Sequence, residues 1–96
     1  MDFSKRVYQA AKNIPKGKVS TYKEIAISLN SKAYRAVGNA LNKNQSKNVP
    51  CHRVVKSNGC IGGFNGGVKK KTEMLRRDGV IARNNKIDMM KYMFKV

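Results

Sequence analysis

The chain has 96 residues, of which 41% are hydrophobic and 27% are charged, a balance that predicts one small globular domain and excludes a disordered chain. Lys and Arg number 21 against 5 acidic residues, so the formal net charge is +16 and nucleic acid is the expected partner. No apolar run reaches the roughly 18 residues of a membrane span, and the N-terminus lacks the apolar segment of a signal peptide. We therefore expect a cytoplasmic protein without membrane contact, or a nuclear one in a eukaryote.

The first half of the chain predicts three helices. Asp2 is a candidate N-cap for "DFSKRVYQAAKNI", whose apolar residues recur at helical spacing until "PKGK" ends the pattern. A capping box from Thr21 to Glu24 opens the second helix, "STYKEIAISL". Ser31 can cap the third, "AYRAVGNALNKN". Two short helices joined by a few residues form a helix-turn-helix pattern, which suggests DNA in a basic protein, although most such pairs only pack on each other.

The second half predicts loops, one further helix and a tail. Residues 44–67 contain a polar loop, a turn with a short strand at 49–55, and the glycine-rich "KSNGCIGGFNGG". "VKKKTEMLRRDG" is a predicted helix with Gly79 as its C-cap residue. Residues 81–96 form a basic, amphipathic tail that either packs back on the domain or stays partly mobile. We treat residues 1–96 as a single domain and expect a monomer.

The segment "NVPCHRVV" contains one of the two cysteines of the sequence and its single histidine, side by side. Cys51 and Cys60 are too few for a disulfide framework, so both are expected to be thiols. A metal site is not expected, because at most three soft or imidazole ligands exist and two of them are adjacent. His52, Arg53 and the general positive field should favour the Cys51 thiolate, which is the nucleophilic form. A buried structural cysteine is the alternative.

The order of motifs along the chain resembles the O6-alkylguanine-DNA alkyltransferase family. "PCHRV" follows a helix that reads "RAVGNAL", precedes "GGFNGG", and comes after "KVSTYKEIA". The resemblance runs from about Phe3 to Gly79. It implies a mainly α, winged helix-turn-helix-like domain with short strands that enters the minor groove of double-stranded DNA and extrudes an O6-alkylguanine into a pocket. The cysteine of such proteins takes the alkyl group irreversibly, once per molecule and without a cofactor.

The resemblance also implies residue roles. Cys51 is the implied alkyl acceptor, His52 its base acting through water, and Tyr22 the hydroxyl that donates to N3 of the leaving guanine. Arg35 is the implied side chain that fills the gap left by the extruded base. The helix that carries it lies close in the groove through Ala36 and Gly38. Each role has a plain structural rival, such as helix-start packing for Tyr22 or a phosphate contact for Arg35.

Further roles follow for the pocket and its hinge. The resemblance implies that Asn44 is a hinge between the helix pair and the active-site turn, unless it simply ends a helix. The carbonyls of Cys51 and Val54 are the implied acceptors for the guanine amino group. Leu41 lines the pocket or belongs to the core.

The chain departs from the family pattern at several positions. Asp78 stands where a glutamate usually orients the histidine, and its shorter side chain predicts an additional water or a shifted helix. Phe64 and Asn65 replace a common tyrosine and serine at the pocket, and Tyr34 replaces a small residue of the minor-groove helix, where its bulk could press the groove or read its width. The loop from residue 44 to 50 is one residue shorter, and the N-terminal domain of many relatives is absent from this sequence.

Three functions remain open from the sequence. The first is a suicide alkyltransferase. The second is an alkyltransferase-like protein that binds alkylated DNA and recruits other repair factors; such relatives typically carry tryptophan at the acceptor position, so Cys51 argues against it. The third is a winged-helix regulator, which would need long polar base-reading side chains where "AYRAVGNAL" offers mostly small ones.

Overall fold

The computed structural model describes residues 2–62 and 67–96 and is mainly helical, as predicted. The five helices and two strands carry their labels in chain order. They are α1 (Phe3–Lys12), β1 (Ser20–Thr21), α2 (Tyr22–Ser28), α3 (Tyr34–Asn42), β2 (Val54–Val55), α4 (Val68–Arg77) and α5 (Met89–Tyr92), with a 3-10 turn at Cys51–Arg53 before β2.

Helices α1, α2 and α3 pack around the first of two apolar clusters. Asp2 Oδ1 accepts from Lys5 N at 2.9 Å and Thr21 Oγ1 accepts from Glu24 N at 2.9 Å, so both predicted caps are confirmed. The apolar stripes of the three helices face one another. The buried residues of this cluster include Val7, Ala11, Ile14, Ile25, Val37 and Leu41. Burying these stripes fixes the angle at which α3 presents its outer side.

A parallel pair of two-residue strands connects the helices to the active-site turn. Ser20 of β1 pairs with Val54 of β2, and Thr21 pairs with Val55. Tyr22 follows β1 directly, and the Cys51–Arg53 turn precedes β2 directly. The strand pairing therefore brings two segments together that lie about thirty residues apart in the sequence.

The second apolar cluster lies under α4 and the C-terminal segment. It contains Val19, Val55, Ile61, Leu75, Val80, Ile87 and Tyr92. Val19 N donates to the Tyr92 carbonyl at 2.9 Å, and Phe94 N donates to the Val19 carbonyl at 2.7 Å. Of the two alternatives left open for the tail, the structure therefore has the packed one: the segment is hydrogen-bonded to the domain.

Two helix ends differ from the sequence prediction. Ala33, which has no capping side chain, is the N-cap of α3, while the hydroxyl of Ser31, two residues earlier, accepts from Ala33 N at 3.0 Å. The C-cap of α4 is Asp78, and Gly79 comes after it with φ +93°. That left-handed conformation costs glycine little, so Gly79 follows the C-cap and the helix ends one position earlier than predicted.

Within residues 2–62 and 67–96, no helix has the length and apolar character to cross a bilayer. Over the same ranges, no three His, Cys, Asp or Glu side chains converge in a way that could hold a metal ion.

Candidate active site and DNA-binding face

Cys51 lies at the start of the 3-10 turn, partly buried, and is held by Asn44. Asn44 Nδ2 donates to Cys51 Sγ at 3.1 Å and to the Ser46 carbonyl at 2.9 Å, and Asn44 Oδ1 accepts from Ser46 N at 3.1 Å. Cys51 N donates to the Val49 carbonyl at 2.8 Å. Asn44 thus ties the end of α3 to the sulfur, which is the connection expected of the predicted hinge.

The protonation of Cys51 differs from the sequence expectation. Burial raises the pKa of the Cys51 thiol above its ordinary value of 9.0, and the Asn44 hydrogen bond and the Lys71 charge offset only part of this. The prediction of a thiolate favoured by neighbouring positive charge is therefore wrong for the DNA-free protein. Desolvation outweighs the positive field because the anion loses more hydration than its neighbours replace.

His52, Asp78 and Arg53 form the first network beside Cys51, which we call the carboxylate network. His52 Nε2 donates to Asp78 Oδ2 at 2.7 Å, and Arg53 Nε donates to the same oxygen at 2.7 Å. Arg53 also donates to the Ile14 carbonyl at 3.0 Å. Of the two predicted alternatives, the extra water is wrong, because Asp78 reaches the imidazole directly from the C-cap of α4. The shifted helix stays a prediction.

Electrostatics of this network leave His52 neutral at pH 7. Burial lowers the pKa of His52 below 6.5, although the hydrogen bond and charge of Asp78 pull it the other way. The pKa of Asp78 lies below its ordinary 3.8: burial is the largest single influence and acts to raise it, but the Arg53 and His52 hydrogen bonds and charges together outweigh it. With the proton on Nε2, the neutral ring presents Nδ1 as an acceptor.

Tyr22 and Lys71 form a second network on another side of the thiol, which we call the phenol network. Lys71 Nζ donates to Tyr22 Oη at 3.2 Å and lies 5.6 Å from the centre of its ring. Lys71 is fully buried, and burial lowers its pKa from 10.5 to about 8 even though the nearby Cys51 raises it. Burial and the neighbouring Cys51 raise the pKa of Tyr22. The phenol therefore stays protonated and able to donate.

Two glycines fit closely around the Tyr22 ring. A Cβ placed on Gly38 of α3 would lie 3.8 Å from Tyr22 Cδ1, an ordinary contact. A Cβ on Gly62 would lie 3.2 Å from Tyr22 Oη, and Gly62 has φ +79°. Any side chain at Gly62 would be strained and would press on the hydroxyl, so this position fixes where the phenol sits.

The outer side of α3 borders an open groove of about 430 Å³. The groove is lined by Tyr22, Lys23, Tyr34, Arg35, Gly38, Lys56, Ser57 and Asn58. Tyr34 and Arg35 are exposed, Ala36 and Gly38 are partly exposed, and the groove reaches Tyr22 of the phenol network. One face therefore combines the predicted DNA-contacting residues with Lys23 and Lys56, whose charges suit phosphate groups.

A family model described as the DNA-binding domain of 6-O-methylguanine DNA methyltransferase matches residues 2–80 of this sequence. The chain belongs to the O6-methylguanine DNA methyltransferase family. The family resemblance stated from the motifs is thereby confirmed.

The chain matches part of the length of two named relatives. It is 38% identical over 96 residues to the bifunctional methyltransferase/endonuclease of Picrophilus torridus, covering 98% of this chain and 32% of that protein. It is 49% identical over 79 residues to the methylated-DNA–protein-cysteine methyltransferase of Saccharolobus islandicus, covering 81% of this chain and 51% of that protein. The chain thus spans between a third and a half of these curated relatives.

Among solved structures, S. pombe Atl1 in complex with damaged DNA containing O6-carboxymethylguanine matches with a TM-score of 0.87 and 34% identity. That match covers 98% of this chain and 95% of Atl1. The predicted fold class, a helix-turn-helix-like domain with short strands, is confirmed by this likeness together with the element order described above.

Not every predicted site residue of this family member lies at the site. Leu41 is 4% exposed inside the three-helix cluster, which matches the core alternative. Val54 is fully buried in β2, and its N–H donates to the Cys51 carbonyl, so that carbonyl already has one partner. Phe64 and Asn65 lie outside the described residues, and their predicted roles stay predictions.

Two residues of the site went unrecognised in the sequence. Lys71 sits in a run of three lysines, and its burial follows only from the direction in which α4 presents it. Arg53 was interpreted as general positive charge, whereas it is a specific partner of Asp78. A helical projection of α4 would have placed Lys71 on the side of Leu75 and Asp78, so the signal for Lys71 existed in the periodicity.

Proposed function

We propose that this protein repairs double-stranded DNA by transferring the alkyl group of O6-alkylguanine to Cys51, once per molecule. The observation that carries the proposal is the placement of one thiol, held by Asn44 at 3.1 Å, next to His52 of the carboxylate network in sequence and close enough to Tyr22 and Lys71 for their charges to influence one another. Similarity to proteins named methylated-DNA–protein-cysteine methyltransferase supports the same reaction.

In the proposed step, the Cys51 sulfur attacks the alkyl carbon, so a C–S bond forms as the C–O6 bond of guanine breaks. The electron pair of the broken bond passes to the purine. The Tyr22 hydroxyl donates a proton to N3 of the leaving base, and Lys71, which donates to the Tyr22 oxygen, stabilises the charge that then develops there. The product is a thioether and an unmodified guanine.

The thiol proton must leave before attack, because burial favours the neutral thiol. His52 is the proposed acceptor, acting through a water, since its Nε2 donates to Asp78 and its Nδ1 is left as the basic nitrogen. A neutral His52 at pH 7 supports this role, because a protonated imidazole could not accept.

The α3 groove is the proposed DNA-binding face. Arg35 would fill the duplex where the damaged guanine is extruded, offsetting part of the few kcal/mol that unstacking costs. The small residues Ala36 and Gly38 would let α3 approach the minor groove, with the exposed Tyr34 ring beside them.

Intact mass after incubation with duplex DNA containing O6-methylguanine tests the reaction directly. We expect a gain of about 14 Da, one methylene, that maps to Cys51. Cys51→Ala should gain no mass and still bind the alkylated duplex, while Cys60→Ala is the matched cysteine control and should react normally. Label on Cys60, or no mass gain on the wild type, would reject Cys51 as the acceptor.

Base extrusion is tested separately with Arg35→Ala. Its single-turnover rate constant on saturated duplex should fall far more than its rate with free O6-benzylguanine, which needs no extrusion. A phosphate contact alone predicts a modest loss of affinity that saturating protein restores. Equal saturated rates for the variant and the wild type would leave Arg35 as a surface contact.

A binding protein without transfer is the second candidate. One observation favours it: the fold likeness to Atl1 has a TM-score of 0.87 over 98% of this chain, against 0.75 over 83% for the O6-methylguanine-DNA methyltransferase of Pyrococcus kodakaraensis. The mass measurement separates the two candidates, because this alternative predicts tight binding of alkylated duplex with the Cys51 mass unchanged.

A further inference from the structure

Helix α4 has a second face that the active site does not use. Lys71, Leu75 and Asp78 point inward, toward Tyr22, the second cluster and His52. At 3.6 residues per turn, Lys69 and Arg76 fall on the opposite side of the helix, and both are exposed. A duplex that inserts a base beside Tyr22 and Cys51 therefore lies on the other side of α4 from these two cations.

A tight hairpin at residues 83–86 borders the same outer face. Arg83 and Lys86 exchange backbone hydrogen bonds of 2.9 and 3.0 Å, and Asn84 and Asn85 between them have φ of 53° and 61°. Both central residues thus take the left-handed conformation that a two-residue turn of this kind requires.

The hairpin is fixed to the body of the domain. Ile61 N donates to the Asn85 carbonyl at 3.2 Å, and Ile87 N donates to the Gly59 carbonyl at 2.8 Å. It also lies beyond residue 80, where the match to the family model ends. The family's DNA-binding domain, as matched, therefore does not account for this element.

Two open grooves flank the hairpin. One, of about 460 Å³, runs between α4 and the hairpin and is lined by Val68, Lys69, Thr72, Glu73, Arg76 and Asn85. The other, of about 370 Å³, is lined by Ile81, Arg83, Lys86, Asp88, Lys91 and Tyr92. We call the two grooves together the rear surface.

Charge on the rear surface is predominantly positive. Five exposed cations, Lys69, Arg76, Arg83, Lys86 and Lys91, line the two grooves. The two acidic residues already have partners: Glu73 pairs with Arg77 at 3.3 Å, and Asp88 Oδ1 accepts from Met90 N at 3.1 Å. The cations stand on α4, on the hairpin and on α5, so the positive charge extends over three elements and suits a polyanion.

We propose that the rear surface binds the sugar–phosphate backbone of a second nucleic-acid segment while the α3 groove holds the first. Both grooves are shallow and open, and their cations are long and exposed, so binding there is independent of base sequence. Nucleic acid suits this surface because phosphates repeat along its whole length and because a segment already bound at α3 keeps neighbouring DNA at high local concentration. The inference goes beyond the proposed repair reaction, which needs the α3 groove alone.

Binding stoichiometry tests the proposal without any lesion. An undamaged hairpin duplex, too short to hold two protein molecules, is added in excess at low salt, and sedimentation counts duplexes per chain. We expect two for the wild type. The triple variant Lys69→Glu/Arg76→Glu/Lys86→Glu should bind one, with the second site weakened at least tenfold.

A matched control separates the rear surface from general charge. Lys5→Glu/Lys12→Glu/Lys16→Glu changes the net charge equally at exposed positions that line neither the rear grooves nor the α3 groove, and it should still bind two duplexes. When the log binding constant is plotted against the log salt concentration, the slope for the second site should also become shallower by about 0.9 for each phosphate contact that the rear variant removes.

One duplex per wild-type chain would overturn the proposal, as would equal losses in the two triple variants or a second site that survives in the rear variant. Transfer of the methyl group to Cys51 is scored separately by mass and should be unchanged in the rear variant. Failure of transfer with two bound duplexes would reject the proposed function and leave the rear surface standing.

Discussion

The carboxylate network and the phenol network lie beside the same cysteine but are assembled differently. The carboxylate network starts from residues adjacent to Cys51 in sequence, and it consists of the short His52–Asp78 hydrogen bond and the short Arg53–Asp78 ion pair, which remain partly exposed to solvent. The phenol network joins Tyr22 to Lys71, 49 residues later, and its ammonium group is fully buried. Both networks exist only in the folded chain, but His52 and Arg53 of the carboxylate network follow Cys51 directly in sequence, whereas Tyr22 and Lys71 are both remote from it.

The two networks make contributions of opposite sign to the stability of the fold. In the carboxylate network, opposite charges and hydrogen bonds compensate for burial, so Asp78 keeps a lowered pKa and contributes to stability. In the phenol network, the desolvation of Lys71 is only partly compensated, and its pKa falls to about 8. Helix α4 carries one residue of each, seven positions apart, so a single helix supports a stabilising and a destabilising contribution to one site.

The largest effect is expected from breaking the carboxylate network with Asp78→Asn. The substitution leaves the mostly buried Arg53 guanidinium without its carboxylate, which should lower the free energy of unfolding by roughly 3–5 kcal/mol. It also replaces the carboxylate, which only accepts and so keeps the proton on His52 Nε2, with an amide that can donate to that nitrogen instead, so transfer to Cys51 should slow about 100-fold. Urea unfolding and single-turnover assays measure the two losses.

Asp78→Glu is the conservative companion of that variant. It keeps the charge but adds a methylene to a contact that is already 2.7 Å, so we expect a cost near 1 kcal/mol and most of the activity. A glutamate variant that is faster and more stable than the wild type would contradict the direct fit of Asp78.

The phenol network should respond in the opposite direction. Lys71→Met removes a buried ammonium and keeps a similar volume, so we expect stability at pH 7 to rise by up to about 3 kcal/mol, the equivalent of the pKa shift to about 8. Transfer should nevertheless slow about tenfold or more, because Tyr22 loses its charged partner. Thermal unfolding measures the expected gain in stability, and single-turnover rates measure the expected loss in the rate of transfer.

Lys70→Met provides the matched control on the neighbouring, exposed position of α4. Its effect on stability should stay within about 0.5 kcal/mol, and transfer should be unchanged apart from weaker DNA affinity. If Lys71→Met were destabilising by several kcal/mol, the burial cost assigned to Lys71 would be wrong.

The dependence of stability on pH should separate the networks. The unfolded chain protonates His52 below pH 6.5 and Asp78 below 3.8, before the folded protein does, so the free energy of unfolding should fall as the pH drops below 6.5. Between pH 8 and 9 the folded protein loses the Lys71 proton that the unfolded chain still holds, so stability should rise with pH there. Above pH 9 the unfolded chain loses the Cys51 proton before the folded protein does, and above pH 10 the Tyr22 proton, and both effects oppose the rise.

Variants assign each window to its residue. Denaturant unfolding across pH should show that Lys71→Met flattens only the alkaline rise, whereas Asp78→Asn alters only the acid fall. An alkaline rise that persists in Lys71→Met would mean that another group titrates there.

The smallest effect is expected at the strand pair that joins the two networks. Ser20 Oγ is buried in β1 and has no hydrogen-bond partner. Among the described residues, the other buried side-chain oxygen and nitrogen atoms each have one. Ser20→Ala removes that hydroxyl and should stabilise the fold by about 1 kcal/mol. Transfer should be unchanged, since Tyr22 and Cys51 keep their positions; a slower rate would show that Ser20 takes part in the site.

Much of this architecture is determined locally. The N-caps at Asp2 and Thr21, the three-helix periodicity and the "PCHRV" turn depend on short-range backbone sterics and hydrogen bonds, which the sequence displays directly. The same local patterns, taken together, indicated the family. The proposed acceptor thiol and its proposed base could be named without a structure because they are neighbours in the chain.

The tertiary structure decided what depends on desolvation and on distance between remote segments. Burial raises the pKa of Cys51 although its sequence neighbours are basic, and it turns Lys71, one lysine in a run of three, into the partner of Tyr22. The direct reach of Asp78 to His52 and the packing of the tail on Val19 likewise follow from how α4 and the strands assemble. Solvation free energy depends on the whole fold, so no local pattern of residues determines it.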